Sequence, residues 1–161
     1  MYFIIMKLKT LSIVGLTILG LSSTAVYATE LDDYLIKKDI LDHNFKIKNA
    51  QQLNDILSVI SDEDSRVMPI QIDQNTIIEK MRLHADHLDI QGVITSPDFA
   101  EFSNQVSKQQ INSMLSSAMQ ENCHQIFEHE FQRKNPYLAK MKLSTERHSY
   151  TVEISNQHCQ F

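Results

Sequence analysis

Hydrophobic positions change their period several times along this chain, and each change marks an element. Leu11 to Leu21 is an apolar run broken only by Ser12, Gly15, Thr17 and Gly20. Residues 31–60 carry helical spacing: Leu31, Tyr34, Leu35 and Leu41 keep an approximate stripe. After Asn49, which suits an N-cap, Leu53, Ile56, Leu57 and Ile60 follow i, i+3, i+4, i+7. Ser61-Asp62-Glu63-Asp64-Ser65 reads as a solvated acidic linker, because it lacks the glycine and final glutamate of a calcium loop. The period then shortens to two. Ile77, Met81 and Leu83 are expected on one strand face. Leu88, Ile90 and Ile94 alternate with polar residues after His84-Ala85-Asp86-His87, giving a β-hairpin. Gly92 inside the second strand signals a bulge or close packing.

A helical block follows. Ser96-Pro97-Asp98 starts one helix, and Ser107-Lys108-Gln109-Gln110 has the form of a capping box that starts a better one. Ile111, Met114, Leu115, Ala118 and Ile126 share its predicted inner face, and Asn122 near the middle is expected to be buried and hydrogen-bonded. Phe127 and Phe131 fall off that face, so the helix should break near Cys123; Asn135-Pro136 closes the block. Ala139, Met141 and Leu143, then Tyr150, Val152 and Ile154, alternate around Thr145 to His148 as a second hairpin. The predicted fold class is α+β: amino-terminal helices followed by ββαββ, an antiparallel sheet packed on a long helix. The expected organisation is a signal segment at 1–28, a helical segment at 29–66 and an α+β domain at 67–161.

The opening run changes where this fold must work. Lys7 and Lys9 precede it, and Val26-Tyr27-Ala28 places small side chains where a signal peptidase reads. A basic start, an apolar middle and a small-residue exit make a secretory signal peptide, with cleavage after Ala28 and Met6 as an alternative start. The apolar core is too short for a comfortable membrane span, which needs about 20 apolar residues. The expected location is periplasmic or secreted, with no stable membrane insertion after cleavage. The chain holds 15 basic and 20 acidic residues. Residues 1–28 contain two lysines and no acid, so the remainder carries a formal charge of −7. An acidic chain without a basic run is a poor fit to nucleic acid.

Cys123 and Cys159 are the only cysteines. An even pair in an oxidising compartment predicts one disulfide, a staple between the helical block and the last strand. Their wide spacing is unlike a redox Cys-x-x-Cys.

From Pro69 onward the chain resembles a pattern of small exported bacterial proteins, Pro-x-x-(Ile/Val)-Asp-x-x-Thr, carried here by Pro69, Ile72, Asp73 and Thr76. An alternating hairpin, a helix ending near Cys123 and two strands closing on Cys159 complete it. The resemblance implies the fold and no activity. The chain is also loosely similar to secretion-system pilot proteins, small α+β envelope domains that escort an outer-membrane secretin. Those are typically lipoproteins, and no lipid-acceptor cysteine follows the apolar run here.

Candidate chemistry centres on histidine. His124, Glu128, His129 and Glu130 lie close together, but His124 and His129 are five apart and point about 140° from each other on a helix. That spacing misses both zincin signatures. Topology offers more. If the third strand runs parallel to the second, the first hairpin turn and the end of the last strand share a pole. His84, His87, His124 and His158 would then gather near the disulfide as a zinc or copper site; the plain alternative is polar loop residues sharing a pole. No Gly-x-Ser-x-Gly elbow occurs, and three glycines leave no phosphate-cradling loop. Asp62 and Asp64 have no apolar wall to raise a carboxyl pKa, and Asp73 is expected to hold a local turn. The chain therefore predicts a binding module without catalytic activity, acting on another envelope or secreted protein in envelope assembly or secretion. The competing expectation is a small metal-dependent hydrolase or metal-binding protein built on the histidine pole.

Overall fold

The computed structural model describes residues 28–161, so the signal segment lies outside the described residues apart from Ala28. Helices α1 (Glu30–Lys37) and α2 (Ala50–Asp64) come first. Asn49 caps α2, its side chain accepting the Gln52 N–H at 3.1 Å. Leu41 does not continue the helical stripe. Asp39 and Phe45 take left-handed backbone angles, and Leu41 instead bridges Ile47 across a turn whose amides are held by Asp42.

The acidic segment Ser61–Asp64 is the last turn of α2, not a linker. Tertiary contacts explain the difference. Ser61 is buried and its hydroxyl accepts the Leu83 N–H at 2.9 Å, while Asp62 meets Arg82 at 3.1 Å.

Strands β1 (Ile70–Gln71), β2 (Thr76–Leu83), β3 (His87–Ile94), β4 (Leu138–Ser144) and β5 (Ser149–Ser155) form one sheet in sequential order. The α+β class is as expected. The sheet, however, is mixed: β3 and β4 run parallel, and the other neighbours antiparallel. Parallel neighbours need a long crossover. Here it consists of α3 (Pro97–Phe102), α4 (Lys108–Glu121), α5 (Cys123–Ile126) and α6 (Glu130–Lys134). The expected starts of α3 at Ser96 and α4 at Ser107 are both present as side-chain caps.

In β2 the buried residue is Ile78, not the expected Ile77. A bulge between Ile78 and Lys80 inserts one residue, so Ile78 shares the inner face with Met81 and Leu83 despite the odd spacing. Gly92 lies opposite Ile78; an added Cβ would stand 2.5 Å from the Ile77 carbonyl oxygen. Close packing and the neighbouring bulge together account for that glycine.

The main core joins the amino-terminal helices, the crossover and the sheet. Leu53 and Leu57 of α2, Met119 of α4, and Phe127 and Phe131 join Leu88, Ile90, Ala139, Val152 and Ile154 in a single cluster. Helices thus cover one face of the sheet, and the register leaves Arg82, Asp89, Lys140 and Glu153 on the other. The inner stripe of α4 is Ile111, Leu115 and Met119, spaced by four, whereas Met114 and Ala118 are exposed. Asn122 is hydrogen-bonded to the Ala118 carbonyl at 2.8 Å, but it is exposed at the end of α4 rather than buried. The helix does break there. Cys123 and Cys159 form the disulfide, with Cα atoms 5.8 Å apart, joining α5 to the segment after a 3₁₀ turn at Asn156–His158.

Candidate functional site

Parallel pairing of β3 with β4 gives the sheet two unlike poles. One pole holds the β2–β3 turn, the start of β4 and the end of β5, since His87 pairs with Leu138 and Leu138 with Ser155. The other holds the start of β2, the end of β3 and the end of β4.

At the first pole the hairpin closes with the His84 N–H donating to the His87 carbonyl at 2.8 Å. Cross-strand partners share a face. The two imidazoles stack at 4.2 Å between ring centres, on the face away from the helices. Asp89, two residues beyond His87, returns to that face. Its Oδ2 lies 3.3 Å from His87 Nε2 and 3.8 Å from His84 Nε2. Asp86 Oδ1 lies 2.7 Å from His87 Nδ1. A carboxylate only accepts, so the proton belongs on Nδ1. Nε2 then faces Asp89, so an imidazole nitrogen and a carboxylate oxygen converge on the space between the two side chains.

This turn is firmly held. Ala85 N–H donates to Asn54 Oδ1 at 2.8 Å, and the buried Tyr137 hydroxyl lies 2.8 Å from the carbonyls of both His84 and His87. Burial first, and His87 second, push His84 below the usual histidine range, against Asp89 and Asp86. Asp86 is held below the usual carboxylate range chiefly by its hydrogen bond to His87.

His84 and His87 are brought together, and their ligand atoms form a group of three with Asp89. His124 and His158 do not join it among the described residues. His124 sits in α5 with its ring edge-on to Phe161, and His158 lies in the 3₁₀ turn. Sharing a pole is not sharing a face. Asp89 and Asp86 escaped the sequence reading; the His87-x-Asp89 spacing within an alternating strand was the available signal.

At the opposite pole a groove opens between the β1–β2 turn and helices α3 and α4. Ile94, Phe99, Phe102, Met114, Leu115 and Leu143 give it an apolar floor, with Asp73 and Asp98 also lining it. Phe102 and Met114 are 36% and 54% exposed, and both line this groove. The turn is shaped by Asp73, whose carboxylate accepts the Asn75 N–H at 2.7 Å, as the sequence predicts.

No helix among the described residues is long and apolar enough to cross a membrane. Comparison of the sequence with protein-family models and with curated proteins gives no match. Among solved structures, the chain is similar to a candidate secreted protein of Pseudomonas aeruginosa, at 9% identity and a TM-score of 0.47, covering 69% of this chain and 96% of that one. It is also similar to the pilotin of the Vibrio vulnificus type 2 secretion system, at 15% identity and a TM-score of 0.45, covering 70% and 96%.

Proposed function

We propose that the protein is an exported docking module that acts by binding, and that the groove between α3, α4 and the β1–β2 turn takes an apolar segment of a second envelope or secreted protein. The observation that carries this is the exposure of Phe102 and Met114 around an apolar floor that also meets Asp73 and Asp98. Apolar anchors beside acidic groups fit an amphipathic segment flanked by lysine or arginine. Assembly of the envelope or secretion is the setting such binding would serve. The test is capture from envelope extract on wild type, on Phe102→Glu and on Met114→Glu, all oxidised and folded. A stoichiometric partner held by wild type and weakened at least about tenfold by each variant supports the proposal, in line with the loss of an anchor worth 1–3 kcal/mol. Equal retention, or no specific partner, overturns it.

A second function, binding of a zinc or copper ion, is favoured by one observation: the Nε2 atom of His87 facing Asp89 at 3.3 Å while Nδ1 faces Asp86. His84, His87 and Asp89 would supply the ligands, and Asp86 would orient His87 in the carboxylate–histidine–metal manner. Three ligands with an open fourth position suit zinc. Titration calorimetry with zinc should give one site that is lost in Asp89→Ala and weakened about 10- to 100-fold in Asp86→Ala. No heat at micromolar protein overturns it.

A further inference from the structure

Asp32 carries a carboxylate with no exposed surface, and among the described residues no lysine, arginine or histidine forms an ion pair with it. Its Oδ2 accepts the Thr29 hydroxyl at 2.8 Å, the Thr29 N–H at 3.1 Å and the Glu130 N–H at 3.0 Å. Oδ1 accepts the Phe131 N–H at 3.3 Å. The same carboxylate thus closes the capping box of α1 and faces the start of α6. His129 Nδ1 braces the Thr29 hydroxyl at 2.8 Å. A buried carboxylate without a cation is costly, and neutral amides offset only part of that cost. One of those amides belongs to the residue that immediately follows Ala28.

We infer that cleavage between Ala28 and Thr29 supplies the missing cation, and that Asp32 is the receptor for the new amino terminus. The inference rests on the export half of the function proposed above and not on the groove. Hydrolysis by a processing peptidase adds water across the Ala28–Thr29 bond. The carboxylate leaves with the released segment, and the amino group stays on Thr29, where it takes up a proton near neutral pH. The uncut chain offers Asp32 one amide hydrogen at this point; the cut chain offers an ammonium on the same nitrogen. The domain therefore reaches its full stability only after processing. Because Asp32 also receives the amides of Glu130 and Phe131, the gain is passed to the contact between the first helix and the crossover.

The experiment starts from the full chain, exported in a bacterial host and recovered from the periplasm. Its intact mass should equal residues 29–161 with the disulfide formed. Cyanate then carbamylates the amino terminus in preference to lysines, because the α-amino pKa of about 8 lies below the lysine value of about 10.4. Carbamylation should lower the melting temperature by at least about 3 °C, the scale set by roughly 1 kcal/mol in a domain of this size. The same treatment should leave Asp32→Asn unmoved. If that variant does not fold, insertion of one alanine between Ala28 and Thr29 displaces the ammonium, and should produce the same lowering with Asp32 intact. A terminus elsewhere in the chain overturns the inference at the cleavage step. A terminus at Thr29 with no change on carbamylation overturns it at the ion pair, leaving export itself standing.

Discussion

Asn156 is nearly buried and satisfies more backbone than any other single side chain described here. Its Nδ2 donates to the carbonyls of Gln132 at 2.8 Å and Asn135 at 2.7 Å, with Arg133 at 3.3 Å sharing, and its Oδ1 accepts the Tyr137 N–H at 3.2 Å. It thereby ends α6 and fixes the entry to β4. Asn156→Ala strands several buried polar groups, and urea unfolding should show a loss of about 2–3 kcal/mol. His129 makes a pH argument at the same scale. Burial pushes its imidazole below the usual histidine range, against Asp32 and Glu128. The unfolded chain takes up a proton there as pH falls below about 6.5, while the folded chain resists it. Stability from this group is therefore complete above that value and declines on acidification. His129→Asn, which keeps a donor toward Thr29, should flatten the slope of stability between pH 7 and 5.5; an unchanged slope would remove His129 as its source.

At the scale of elements, the bulge in β2 and Gly92 in β3 act as one device. The bulge resets the phase of β2, and the glycine lets the Ile77 carbonyl approach the strand opposite. Gly92→Ala places a Cβ against backbone rather than against a flexible side chain. A cost of about 1–3 kcal/mol is expected, read as a lower urea midpoint with an unchanged slope. Starts of helices were legible from residues alone: Asn49, Ser96 and Ser107 all cap as expected, because a cap is a local hydrogen bond. Ends were not. The last turn of α2 survives its run of acids through Ser61 and Asp62 meeting Leu83 and Arg82, partners some twenty residues away.

For the whole molecule, the disulfide closes a loop with a separation of 36 residues and ties the crossover to the chain end. The chain-entropy model assigns such a loop about 3–4 kcal/mol. Cys123→Ser with Cys159→Ser should therefore lower stability by roughly that amount while the core cluster still assembles, as checked by urea unfolding and near-ultraviolet circular dichroism. Arg133 reinforces the same corner: it bonds the Phe127 carbonyl at 2.6 Å, pairs with the buried Glu130 at 2.9 Å and lies over the Phe161 ring. The groove and the histidine turn stand at opposite ends of the sheet, so variants at one should leave binding at the other unchanged.

By itself the sequence determined what is local: the caps, the two hairpins, the helix break near Cys123 and the α+β class, each set by neighbours within a few residues. It also brought His84 and His87 together, because they sit across one tight turn. Tertiary structure alone decided the rest. Parallel pairing of β3 with β4 chose which ends of the strands share a pole, and strand alternation then admitted Asp89 to the histidines and left His124 and His158 out. The face of α4 that packs on β5 decided that Met114 stands exposed in a groove and Leu115 points inward. In each case the deciding energy is burial or a hydrogen bond between residues far apart in the chain, which local periodicity does not encode.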